Sequence, residues 1–160
     1  MRRMTALVAL LAALWLPGLA QAASCKVPGD VAAAGAVILK NVNAARAKAG
    51  LRPLKMTSSL VKASQGHACY MARSGNFSHN GAGGISHATR AKRAGCRWKS
   101  ALAENIAYGY KDPVKIYQMW MGSPHHRANI LNRKVRLAGV AYAEGGPHGP
   151  YWVMMYAGGC

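Results

Sequence analysis

Glu104 is the residue with the clearest claim on chemistry. It stands in the run ALAENIAY, from Ala101 to Tyr108, which is otherwise uncharged and largely apolar. The whole chain of 160 residues has four acidic side chains: Asp30, Glu104, Asp112 and Glu144. A carboxylate taken out of water costs several kcal/mol unless it is paired, hydrogen-bonded or bound to a cation. Histidine is the expected partner, with His79 in a glycine-rich loop and His126 one turn inside the start of a helix. Two imidazoles and a carboxylate from separate elements could converge on a cleft and hold zinc or another divalent ion, with water as fourth ligand. Without metal the same groups would form a polar, pH-sensitive cluster. Glu104 capping backbone amides is the plainer reading, and both stay open.

Other reaction chemistries find less support. The metal-binding pattern His-Glu-x-x-His is absent. Ser78-His79 and Ser86-His87 are neighbours in sequence, whereas a catalytic triad needs residues positioned in space. A two-carboxylate glycosidase would need an acidic partner for Glu104. The other three acids have local roles: Asp30 at a helix start, Asp112 as a helix cap, and Glu144 in an exposed turn.

The elements that must position these groups follow from periodicity and punctuation. Val31, Ala34, Val37, Ile38, Val42 and Ala45 recur at helical spacing from Asp30 to Ala49, with Gly50 as the stop. Asp30 suits the positive end of that helix. Thr57 or Ser58 caps a second helix that ends near Gly75 and carries Leu60, Ala63, Ser64, His67, Ala68 and Met71 on one face. His67 there reads as a hydrogen-bonded core histidine. The loop NFSHNGAGGI follows, opening on Asn76-Phe77-Ser78, a three-residue match to a glycosylation acceptor. A short helix is expected from Ser86 to Ala94 and a strand from Ala101 to Tyr108. Asp112-Pro113 opens another helix, with Val114, Tyr117, Trp120 and Met121 as its expected buried side. Ser123-Pro124 starts a short one through Leu131. Leu137 to Ala143 and Tyr151 to Ala157 read as strands joined by the turn EGGPHGP, where His148 is solvent-facing. Helices around a small, mostly antiparallel sheet make an α+β fold without repeats.

The amino terminus carries a destination. Arg2-Arg3, an apolar stretch from Ala6 to Leu16 and Ala20-Gln21-Ala22 read as a signal peptide over residues 1–22, cleaved after Ala22. A membrane anchor is disfavoured, because the stretch is shorter than the ~20 residues that span a bilayer and is followed by Pro17. Residues 23–160 then form one domain, secreted or periplasmic, with no transmembrane segment after cleavage. Export predicts that Cys25, Cys69, Cys96 and Cys160 pair as two disulfides. Of the three possible pairings, Cys69–Cys96 with Cys25–Cys160 is favoured. Once Arg2 and Arg3 are removed, 19 basic side chains face four acidic ones, a net charge near +15. Such a surface should adhere to anionic cell-envelope polymers and lipid. A nucleic-acid function is disfavoured, since export and the lack of a stacking motif leave nothing to read a sequence.

Five segments together carry a resemblance: NVNAARAKAGLRPL, FSH, AENIAYG, WMGSPHHRANIL and LAGVAYA with YWVMMYAG. In this order and spacing they resemble the CAP superfamily of cysteine-rich secretory proteins, antigen 5 and pathogenesis-related 1 proteins, whose module is called the SCP domain. The resemblance runs from about Val31 to Gly158. It implies a three-layer α-β-α sandwich with a central cleft lined by two histidines and two acids. His79 corresponds to the first histidine, Glu104 to an acid and His126 to the second histidine. Ser123 stands at the position of the second acid, and His125 where bacterial relatives usually have glycine. Family members are secreted; some bind sterols or other lipids, some a divalent metal, and some are reported as proteases. The resemblance therefore implies a binding module for a small or lipid-like ligand before it implies an enzyme. The alternatives are a metal-assisted hydrolase at the same cluster and a basic protein that coats anionic envelope surfaces.

Overall fold

The computed structural model describes residues 24–160. The expected signal peptide lies outside the described residues. Five α-helices and four strands follow in the order α1 Val31–Lys48, β1 Lys55–Met56, α2 Ser58–Ser74, α3 His87–Arg93, β2 Leu102–Tyr108, α4 Pro113–Gly122, α5 Pro124–Ile130, β3 Leu137–Ala143 and β4 Tyr151–Ala157. The sheet order is β1-β3-β4-β2. Only the two-residue β1 runs parallel to its neighbour; β3–β4 and β4–β2 are antiparallel.

The strand period of two builds the three layers. Along β4, Trp152, Met154 and Tyr156 enter the core shared with Ile38, Val42, Ile116, Trp120 and Ile130, which is the side of α1, α4 and α5. Tyr151, Val153 and Met155 enter the core shared with Leu60, Met71 and Ala91, the side of α2 and α3. Helices therefore cover both faces, and β4 is buried along its whole length. The expected α-β-α sandwich forms.

Close approach on one face depends on a missing side chain. A Cβ at Gly139 of β3 would lie 2.1 Å from the backbone carbon of Leu60 and 2.3 Å from the nitrogen of Val61. Ser64 seals that contact by donating to the Gly139 carbonyl at 2.9 Å. On the other face the fully buried Arg46 of α1 donates to the carbonyls of Arg52, Ile130, Asn132 and Val135 at 2.7–3.3 Å. Those carbonyls lie at the C-terminal end of α5 (Ile130) or in the irregular chain beyond helices α1 and α5, so one guanidinium satisfies both connections.

Several local expectations are corrected. Asp30 does stand at the start of α1, where its side chain caps no backbone amide and its carboxylate accepts a hydrogen bond from the Tyr142 hydroxyl, a partner from β3 that the local sequence does not show. In α4 the buried positions are Ile116 and Trp120, whereas Val114 is exposed and Tyr117 and Met121 are only half-buried. The apolar stripe is narrower than the residue types suggested, because α4 packs at the rim of a cleft. Glu144 is not a free turn residue: it pairs with Lys111 at 2.6 Å and Lys26 at 3.8 Å, and its backbone bridges Lys26.

The disulfides are Cys25–Cys69 and Cys96–Cys160, not the favoured Cys69–Cys96 and Cys25–Cys160. The Lys26–Glu144 bridge draws the N-terminal segment beside α2, which delivers Cys25 to Cys69. The C-terminal residues leave β4 next to the start of β2, where Gly158 donates to Ala101. That places Cys160 beside Cys96, which is buried in the same core as α3.

Candidate functional site

Glu104 lies on β2, an outer strand of the sheet. Strand alternation sends it and Ile106 to the α2/α3 side and Asn105 to the α5 side. It is 5 % exposed. Its Oε2 accepts from Nη2 of Arg90 at 2.6 Å, and its Oε1 accepts from Nδ1 of His79 at 2.9 Å. Nε2 of His67, fully buried on α2, stands 4.0 Å from Oε1. The carboxylate is thus held by a guanidinium from α3 and an imidazole from the loop. Burial by itself would raise its pKa, but the His79 hydrogen bond and the Arg90 charge together hold it below the usual carboxylate value.

The three basic partners differ in character. Arg90 is 8 % exposed, and its Nη1 also donates to the carbonyls of His79 and Ile85. It therefore fixes the loop that carries His79. His67 places Nε2 2.8 Å from the Ser78 carbonyl, so that nitrogen carries the proton and donates. Burial pushes its pKa down to about 4 against the pull of Glu104, so the ring is neutral near pH 7. His79 is about half exposed, with a side-chain exposure of 53 %. With its Nδ1 turned to Glu104, its Nε2 points away from the carboxylate, and in the neutral ring that nitrogen would carry the lone pair that accepts a hydrogen bond or binds an electrophile. His87 on α3 stands close enough to feel Glu104, Arg90 and His79, and burial lowers its pKa.

His126 of α5 is half-buried, and no hydrogen bond or ion pair joins it to Glu104 among the described residues. The backbone explains the separation. Asn105, on the opposite side of β2 from Glu104, donates to the His126 carbonyl at 3.1 Å and so tethers α5 to the other face. Asn129 completes the tether by donating to the backbone carbonyl of Glu104 and to the side-chain Oδ1 of Asn105. His126 does sense His79: burial first, and then the His79 charge, lower its pKa. The neighbouring His125 is exposed.

A cavity of about 600 Å³ opens beside His126 and Ser123, walled by Phe77, Tyr108, Tyr110, Met119 and Trp120. The Phe77 and Tyr108 rings meet edge-to-face at 4.7 Å, and Lys115 sits 3.9 Å above the Tyr110 ring. Phe77, Tyr108, Tyr110 and Met119 are each about 40 % exposed, so the mouth of the cavity is an apolar patch open to solvent. Its floor is fixed, since Trp120 is fully buried and donates from its indole to the Ile106 carbonyl.

Of the three site residues expected from sequence, His79 and Glu104 therefore meet directly, while His126 lines the aromatic cavity next door. Among the described residues no group of three His, Cys, Asp or Glu side chains lies together in a way that could hold a metal ion. Each Glu104 oxygen accepts one hydrogen bond, Oε1 from His79 and Oε2 from Arg90, so the carboxylate orients the His79 ring. Sequence reasoning missed Arg90, counting it only as one of the 19 basic side chains of a cationic surface. The available signal was arithmetic: a buried carboxylate among 21 Lys and Arg residues is far more apt to meet a guanidinium than imidazoles alone. It also left His67 as a bland core residue, although its nitrogen is part of the cluster.

Residues 39–156 match the family described as CAP, the cysteine-rich secretory protein family. The uncharacterized protein YkwD of Bacillus subtilis (strain 168) is 34 % identical over 131 residues, covering 82 % of this chain and 49 % of that protein. The chain thus spans about half the length of the curated relative it matches. Among solved structures, an extracellular SCP-domain protein of Bacillus anthracis superposes with a TM-score of 0.71 at 24 % identity, over 79 % of this chain and 41 % of the other. An outer surface protein of Borrelia burgdorferi superposes with a TM-score of 0.69 at 16 % identity, over 76 % and 90 %. Both likenesses are of fold.

Proposed function

The chain belongs to the cysteine-rich secretory protein family, CAP, and from that premise we propose that it is an extracellular binding module for a small, largely apolar ligand. The observation that carries this reading is the aromatic cavity of about 600 Å³ with a polar edge at His126 and Ser123. Small-molecule sites typically measure ~300–1,000 Å³ and combine apolar walls with a few placed polar groups. Tyr108, Tyr110 and Met119 would enclose the apolar body of a ligand. His126 and Ser123 would hydrogen-bond its polar end, and the Glu104–His79 pair would set the charge beside it. Two disulfides and solved neighbours described as extracellular or outer-surface proteins support an external location. Among the described residues no helix is long and apolar enough to cross a membrane. Titration with the neutral fluorophore N-phenyl-1-naphthylamine tests the reading. It should bind saturably, and Met119→Arg at the exposed mouth should weaken it about tenfold by placing a charge on the apolar wall. Equal affinity in the variant would overturn the assignment of the cavity.

One contact favours a second reading. Glu104 orients His79 through Nδ1, the arrangement by which carboxylates prepare a histidine for metal. His79 and His126 would be the protein ligands, and a bound divalent ion would activate water for hydrolysis. Two imidazoles are one ligand short of the usual catalytic zinc site, and this places binding ahead of metal-assisted hydrolysis. Zinc uptake near neutral pH that is lost in His79→Ala would favour the metal form, and equal uptake would remove it.

A further inference from the structure

A second cavity, of about 260 Å³, lies between α2 and α3 and shares no lining residue with the aromatic one. Lys62, Arg90 and Arg93 line it, and the rest of its wall is small or aliphatic, including Ala63 and Ile85. No acidic residue lines it. Lys62 and Arg93 are exposed at its rim, whereas Arg90 is buried.

The three nitrogens of Arg90 differ in their partners. Nη1 serves the carbonyls of His79 and Ile85, and Nη2 serves Glu104. Nε is buried and has no partner. The side chain is more than nine-tenths buried, at 8 % exposure. A buried donor with no acceptor is unfavourable and rare in folded proteins, and here it belongs to the residue that walls a basic cavity.

We propose that this cavity is an anion site that takes the phosphoryl group of a phosphate ester. The Arg90 Nε–H lies closed to solvent just behind the wall and donates once the wall yields to the ligand, while Lys62 and Arg93 close on the remaining oxygens from the rim. Charge favours a phosphoryl group over a carboxylate. Glu104 already neutralises Arg90, so Lys62 and Arg93 leave two positive charges uncompensated, which suits a dianion. The aliphatic wall and the volume leave room for the carbon substituent of an ester. The strongly basic surface of the chain would concentrate such ligands before they dock.

Nitrogen-15 spectra of the disulfide-bonded protein, recorded during titration with inorganic phosphate or glycerol 3-phosphate, read the site directly. The Arg90 Nε–Hε resonance should shift saturably. Tighter binding of the ester identifies the substituent as part of the ligand, and equal binding assigns the site to the phosphoryl group alone. Arg90→Ala is avoided, because it strips Glu104 of its counter-ion. Lys62→Ala/Arg93→Ala should weaken binding about tenfold. Lys40→Ala/Lys48→Ala removes the same charge from exposed positions of α1 and should weaken it less than about twofold. The proposal fails if the Arg90 resonance does not move, or if the two double variants weaken binding equally.

Discussion

Replacing Glu104 by glutamine removes a charge with almost no change of shape. The side chain is 5 % exposed and its strongest partner, Arg90, is 8 % exposed, so solvent cannot screen the loss. The variant leaves a buried guanidinium without a counter-ion, which typically costs about 3–5 kcal/mol. Glutamine can still accept one hydrogen bond through its carbonyl, which recovers part of this, and about 3 kcal/mol is expected at pH 7. For a domain of this size that is a fall in Tm of about 10 °C. Denaturant unfolding with both disulfides intact measures it. Glu104→Gln and Arg90→Met combined should cost clearly less than the sum of the single changes, because the second removes the cation the first has stranded. The pH dependence gives an independent check. Glu104 has a pKa below its ordinary 4.5 in the folded chain. Its contribution is therefore fully present above that ordinary value and is lost as the pH falls through the lower, folded one. The gap between wild type and Glu104→Gln should accordingly close in acid. A cost under about 1 kcal/mol at pH 7, or full additivity with Arg90→Met, would refute the account of the cluster.

Other consequences are equally concrete. His67 is neutral in the native state down to about pH 4, while the unfolded chain binds its proton near pH 6.5. Stability should therefore rise with pH across that window by up to about 1.4 kcal/mol per unit, and urea midpoints should flatten there in His67→Gln. Gly139→Ala should cost about 3 kcal/mol or more, or prevent folding, since its methyl group would meet the α2 backbone at 2.1 Å; a circular-dichroism melt matching wild type would contradict the packing. Peptide mapping without reductant should recover Cys25 linked to Cys69 and Cys96 linked to Cys160. Removing either bridge should cost up to about 4 kcal/mol, given that each closes a loop of 44 or 64 residues; a Cys69–Cys96 peptide would be incompatible with the topology.

Local grammar alone determined much of this protein. The bounds of β3 and β4, the Asp112-Pro113 start of α4 and the inward face of α2 all follow from spacing and caps. These are interactions between residues a few positions apart, and the chain writes them openly. The oddity of Glu104 was legible for the same reason, since a lone carboxylate in an apolar strand is conspicuous before its neighbours are known. Its partners were not legible. Arg90 lies 14 residues away, on a helix whose other cations face water, and nothing in its immediate sequence distinguishes it. The separation of His126 from Glu104 was decided by strand alternation, which turns positions 104 and 105 to opposite faces and ties α5 to the second. The disulfides were decided by which chain ends the sheet brings together. Contacts of that kind depend on the closed three-layer packing, and pairwise reading along the chain does not contain it.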